Sequence, residues 1–292
     1  MRNLRIIGGI AGKIALAFVL AFLITLVLLV PFMAFSGMAP AGANSMETIA
    51  EALEGEGFFI MSVLSQAAGF IGATVLMYYW FERKKGWSVG WRQQGAVQET
   101  VKGSIFGIVL MTIIFLAMWA SGAIEITGIK TSPEVWKQLL LYLFVFAIVA
   151  LNEELFSRGY VQGLIRHHYG KWASIAVSSL LFSLLHALNP GALEHPLPLI
   201  NLVAAGFLLA VSREVTGGLW FPIGLHWTWN FMQGNVFGFE VSGNPVESLI
   251  RQEASGADLW SGGAFGAEGS LIATAVTVAA TVWICRSRKA RR

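Results

Sequence analysis

The stretch "LNEELFSRGY", Leu151–Tyr160, decides how this chain is read. Residues 138–151 carry no charge, and Glu153, Glu154 and Arg158 then arrive within six positions. The uncharged run has the character of a membrane helix, and composition shows that it is one. Of 292 residues, 55% are hydrophobic and 13% charged, with mean hydropathy +0.65. A soluble domain is roughly 25% charged, about twice as much. Several uncharged runs are also long enough to cross a bilayer, which takes about 20 apolar residues. The expected fold is therefore all-α, a polytopic bundle forming a single membrane domain over 1–292.

Eight spans are predicted, near 14–35, 58–81, 104–124, 138–166, 172–188, 197–212, 217–239 and 270–285. The first follows a basic start, Met1 to Arg5, and precedes "APAGA" (Ala39–Ala43), which has the look of a signal-cleavage site. Its apolar run exceeds the roughly 7–15 residues of a signal core, so it is expected to remain as an anchor.

Lysine and arginine placement predicts the orientation. With eight spans and a cytoplasmic N-terminus, the C-terminus is cytoplasmic too. The inner segments then hold Arg2, Arg5 and Lys13, the stretch "ERKKGWSVGWR" (82–92) with Lys102, Arg166 and Lys171, Arg213 and the tail "RSRKARR" (286–292). The outer loops hold only Lys130, Lys137 and Arg251, and the first of them carries Glu47, Glu51, Glu54 and Glu56. The net charge of +3 is thus explained by membrane sorting, with the basic tail on anionic lipid headgroups, and no nucleic-acid partner is expected. The outer segment 242–269, rich in Gly and Ser, reads as a flexible connector. A single cysteine, Cys285, rules out an intramolecular disulfide.

Few ionisable residues remain at membrane depth: Glu153, Glu154, Arg158, His186 and His226. Each costs at least ~2.5–3.5 kcal/mol to insert, so such residues usually face the bundle interior and mark a function. Glu154 and Arg158, spaced i,i+4, share one helix face and compensate each other. Glu153 points about 100° away around the helix, toward another partner. The segment "IRHHYGKW" (Ile165–Trp172) reads as a turn between antiparallel helices. Glu153 lies sixteen residues before Tyr169 and His186 seventeen after it, so each stands roughly 25 Å from the turn and both reach the same depth. A carboxylate facing an imidazole there can hold and deprotonate a water. His226 and Asn230, again i,i+4, begin roughly 15 Å into their span. An amide donor beside an imidazole can stabilise an oxyanion, although interhelical hydrogen bonding alone accounts for such residues singly.

Other hydrolase chemistries leave no trace. There is no H-E-x-x-H zinc motif and no G-x-S-x-G elbow. Asp258 is the only aspartate and is placed in an outer loop, which excludes an aspartyl dyad. His167, His168 and His195 fall in connectors.

Three motifs carry a resemblance. "EELFSR" (Glu153–Arg158) matches E-E-x-x-x-R, "FSLLH" (Phe182–His186) matches F-x-x-x-H, and "HWTWN" (His226–Asn230) matches H-x-x-x-N. In this order they resemble the CAAX protease and bacteriocin-processing (CPBP, or Abi) family of intramembrane endopeptidases, over roughly 138–239. The resemblance implies peptide-bond hydrolysis within the membrane by a glutamate-activated water. Glu153 would be the base and His186 would orient the water, while His226 and Asn230 would stabilise the oxyanion. Glu154 with Arg158 would brace the helix, and Phe182 would pack. Family members are often labelled metalloproteases. Glu153, His186 and His226 are candidate zinc ligands with an open fourth position, and a metal-free mechanism uses the same residues equally well. The implied substrate is a membrane-associated peptide or protein, and the expected location is a bacterial inner membrane. Two other readings use the same residues: a non-catalytic scaffold binding a partner such as a sensor kinase, and a proton-coupled transporter relaying through Glu153 and Glu154. The transporter reading lacks the broken-helix symmetry it would require.

Overall fold

A computed structural model describes residues 2–35 and 56–287. The "APAGA" stretch, Glu47, Glu51, Glu54 and the last five residues of the basic tail lie outside them. The chain forms two compact units, residues 1–87 and 88–292.

The first unit pairs α1 (Arg2–Phe35) with α2 (Glu56–Met77), which runs on as a π-helical turn, Tyr78–Glu82. The helices approach closely at Gly69, where a Cβ would meet the Ala21 carbonyl at 2.5 Å. Small residues at such crossings let two backbones pack directly. At one end Lys13 from α1 reaches the fully buried Glu82 at 2.5 Å, and the Trp87 indole N–H donates to the same carboxylate at 3.2 Å.

The second unit contains α3 (Ala96–Ala120), β1 (Ile124–Ile129), α4 (Pro133–Glu154), α5 (Gln162–Leu185) and α6 (Leu197–Thr216). It continues with α7 (Trp220–Phe231), β2 (Ile250–Ala254), the single turn α8 (Asp258–Ser261) and α9 (Leu271–Ser287). π-helical segments follow α4 (Leu155–Val161) and α7 (Met232–Val236). α3 and α7 cross with backbones nearly touching. A Cβ on Gly103 would meet the Phe221 carbonyl at 2.1 Å, and one on Gly224 would meet that of Thr100 at 2.2 Å. Thr228 Oγ donates across this interface to the Ser104 carbonyl at 2.8 Å. Met111, Ile114, Leu208, Leu225 and Trp229 form the buried core between α3, α6 and α7.

Five helices among the described residues are long and apolar enough to cross a membrane: Arg5–Met33, Gly57–Glu82, Ala96–Ala120, Pro133–Leu185 and Leu197–Thr216. The fourth, 53 residues long, contains two predicted spans. Its backbone breaks at Gly170 (φ 79°, ψ −176°), inside the predicted turn. The segments expected at 217–239 and 270–285 form shorter helices, the first continuing through its π segment to Val236. α7 has 12 residues and α9 has 17. α7 is apolar and buried over most of its length, the pattern of a helix enclosed by its neighbours. Large apolar side chains elsewhere face outward, Phe22, Val27, Ile105 and Phe144 among them. A soluble bundle would cover such residues; this chain is an integral membrane protein.

Among the described residues the helices are interrupted by a two-stranded antiparallel sheet and an isolated bridge, Val241–Asn244. β1 pairs with β2, Ile124 opposite Ala254 and Ile129 opposite Ile250. The predicted third span, 104–124, ends on the first residue of β1, and the rest of the strand falls in the predicted outer loop. Likewise the 242–269 connector holds β2 and α8.

Candidate functional site

α4 delivers Glu153 and Glu154 where it becomes the π-helical segment Leu155–Val161. π turns widen the helix and recur at functional sites. Arg158 lies in that segment, wholly buried, and its Nη1 donates to Glu154 Oε1 at 3.1 Å. Its Nη2 donates to the Gly206 carbonyl of α6 at 3.2 Å, and its guanidinium stacks on the Phe182 ring with 4.2 Å to the centroid. A buried arginine needs such partners, because an uncompensated charge in the interior costs several kcal/mol. Glu154 and Arg158 are thus paired along one face, and Phe182 of α5 packs against the guanidinium.

Glu153 faces away from this pair. Its Oε2 lies 3.7 Å from His186 Nε2 and 3.9 Å from His226 Nε2. The hairpin at Gly170 thus brings Glu153 and His186 to one depth, and α7 adds His226 to the same point. These separations exceed a hydrogen bond. Glu153 and His186 remain partly exposed, with side-chain exposures of 24% and 15%, against 8% for His226 and none for Glu154. The cluster therefore opens on the Glu153–His186 side and closes behind Glu154. Asn230 is buried one turn beyond His226.

Backbone and carboxylate partners orient both rings. His186 Nδ1 lies 2.9 Å from the Phe182 carbonyl, and His226 Nδ1 lies 2.9 Å from Glu154 Oε1. Both partners are acceptors, so each Nδ1 carries a proton and each Nε2 is turned toward Glu153. The Glu154–His226 contact spans 72 positions and adds a task to Glu154 beyond bracing the helix. Local spacing carries no signal for it, since a contact at that separation depends on how α7 packs.

The metal candidates do not form a metal site. Among the described residues no group of three or more His, Cys, Asp or Glu side chains is arranged to hold a metal ion. Ligand atoms about 2.0–2.1 Å from a tetrahedral zinc stand about 3.4 Å apart. The 3.7 and 3.9 Å separations at Glu153 are wider. The zinc alternative at Glu153, His186 and His226 is not supported.

The fold and this cluster define a class: a polytopic helical membrane protein with two carboxylates, an arginine and two imidazoles gathered inside its bundle. Residues 135–232, which contain every residue of the cluster, match the family model described as type II CAAX prenyl endopeptidase Rce1-like. Over that segment the chain is similar to the Rce1-like family, in agreement with the resemblance carried by the three motifs. A relative from Escherichia coli, described as an uncharacterized 24.3 kDa protein, is 32% identical over 99 residues. That match covers 33% of this chain and 42% of the relative, less than half of the relative's length.

Proposed function

We propose that this protein is an intramembrane endopeptidase that cleaves a membrane-associated peptide or protein with a water activated by Glu153. The carrying observation is that Glu153 Oε2 faces the Nε2 atoms of both His186 and His226 at 3.7 and 3.9 Å within the bundle. The family match over 135–232 supports the same reading.

In this mechanism a water lies between Glu153 and His186. Glu153 removes a proton as the oxygen attacks the scissile carbonyl carbon. Negative charge then develops on the carbonyl oxygen. His226, in its protonated form, donates from Nε2, and Asn230 donates from its amide. Glu154 holds the imidazolium through Nδ1, much as a carboxylate orients histidine in a hydrolase triad. Glu153 returns the proton to the leaving amine when the tetrahedral intermediate collapses. No step requires a metal. Entry is from the Glu153–His186 side, where the cluster is partly exposed. The location is a bacterial inner membrane, with both termini cytoplasmic.

The test is cleavage of membrane-anchored reporter peptides by purified protein in detergent or proteoliposomes. Glu153→Ala and His186→Ala are expected to lose at least about 10²-fold in turnover while inserting and folding normally. Undiminished turnover by Glu153→Ala would overturn the mechanism.

A further inference from the structure

Segment 237–270 contains a buried carboxylate with no part in the chemistry above. Glu268 is 8% exposed. Its Oε1 accepts the Trp229 indole N–H at 3.2 Å, and its Oε2 accepts the Ser242 backbone N–H at 3.1 Å and hydroxyl at 2.8 Å. All three donors are neutral. Three charge-assisted hydrogen bonds hold the carboxylate in one orientation.

The bonds of Glu268 lead to both halves of the site. Trp229 immediately precedes Asn230 on α7. In the other direction, the Ser242 carbonyl accepts from Asn189 Nδ2 at 3.1 Å. Asn189 N–H in turn donates to the His186 carbonyl at 3.1 Å. A connected path therefore runs from His186 through Asn189, Ser242 and Glu268 to Trp229 and Asn230. Close packing reinforces it. A Cβ on Gly243 would meet the Pro190 carbonyl at 2.0 Å, so segment 237–270, a strap over the site, lies directly on the loop after His186. Phe265, buried in the same strap, packs in one cluster with Phe182 and Ala192.

We infer that Glu268 is a positioning residue for the proposed hydrolysis: its carboxylate ties the loop following His186 to the helix carrying His226 and Asn230. This rests on the endopeptidase reading. The catalytic water must sit within reach of Glu153 and His186 while the oxyanion reaches His226 and Asn230. A displacement near 1 Å between these halves costs up to about 10²-fold in rate.

Glu268→Gln preserves volume but sets an amide N–H against the donors of Ser242 or Trp229. Ser242→Ala, which removes one bond only, is the milder companion. Two readouts apply to each. The first is the EPR line shape of a nitroxide on Leu188→Cys in a Cys285→Ser background; Leu188 is 93% exposed and lies between His186 and Asn189. The second is the split between kcat and KM for the reporter peptide. Both variants should sharpen the Leu188 signal, reporting a looser loop. They should lower kcat by about tenfold, with KM within about twofold. An unchanged line shape in both variants overturns the tie itself, whatever the activity. A looser loop with wild-type kcat overturns its role in the reaction. If the parent protein cleaves nothing, or Glu153→Ala cleaves as well as the parent, the endopeptidase reading fails and the assigned role in hydrolysis fails with it; the line shape still decides whether Glu268 holds the loop.

Discussion

One oxygen of Glu154 serves two partners: Oε1 lies 2.9 Å from His226 Nδ1 and 3.1 Å from Arg158 Nη1. The brace within one helix and the orientation of a ring on another therefore depend on a single atom. Two effects that are usually inseparable can be divided by mutation.

Glu154→Gln should destabilise the protein by about 3–5 kcal/mol, because it leaves Arg158 buried without its carboxylate. It should also abolish cleavage, because a neutral amide no longer supplies the charge that holds the His226 imidazolium. The double variant Glu154→Gln/Arg158→Met removes the stranded charge and should recover much of the stability but none of the activity. Thermal unfolding in detergent and turnover, measured on the same samples, check both. Recovery of activity with stability would show that Glu154 matters only as a brace.

Phe182 also supports the arginine, its ring centroid 4.2 Å from the guanidinium carbon. Phe182→Ala should cost about 3–5 kcal/mol through the cavity it leaves. Phe182→Leu fills much of that space but loses the aromatic face, so a cation–π share of about 2 kcal/mol should persist. Equal stability of Phe182→Leu and wild type in unfolding experiments would remove the ring from the account of Arg158.

The crossing of α3 and α7 holds His226 at its depth. Gly103→Ala places a methyl where only 2.1 Å separates it from the Phe221 carbonyl, and backbone cannot yield as a side-chain tip does. A loss of about 1–3 kcal/mol is expected, together with reduced turnover from a displaced α7. Gly12→Ala, in α1 with open space around it, should be neutral or slightly stabilising. Paired melting curves test the contrast; similar behaviour of the two variants would deny that the α3–α7 approach is tight.

The proposed orientation can be read by labelling single cysteines in a Cys285→Ser background. Lys84→Cys and His167→Cys should react only with reagent on the cytoplasmic side, and Lys130→Cys and Arg251→Cys only with reagent on the other. Labelling of positions 84 and 130 from one side would break the topology, and with it the placement of both termini.

Much of the site was legible in linear order. Glu153, His186 and His226 stand out because charged and imidazole side chains are expensive within apolar segments, and equal counts outward from a turn place two of them at one depth. The turn proved to be Gly170, inside the predicted stretch. The strap was not legible. Gly- and Ser-rich composition in 242–269 suggests flexibility, yet at Gly243, Gly262, Gly266 and Gly269 a neighbouring carbonyl leaves no room for a Cβ. At Gly243 and Gly266 that distance is 2.0 and 2.2 Å, and both also hold positive φ. Nor were the strands: "IEITGI" (124–129) begins on the last residue of the predicted third span, and only its partner 250–254 makes it a strand.

The sequence by itself determined the membrane, the all-α class, the hairpin and the identity of the residues that cannot be passive in lipid. These follow from transfer free energies and helical periodicity, which are local quantities. Tertiary structure alone decided that Glu154 serves His226 as well as Arg158, that α7 is enclosed by its neighbours, and that Glu268 links the two halves of the site. Those contacts join residues between 26 and 72 positions apart. Packing selects such partners, and no periodicity encodes them.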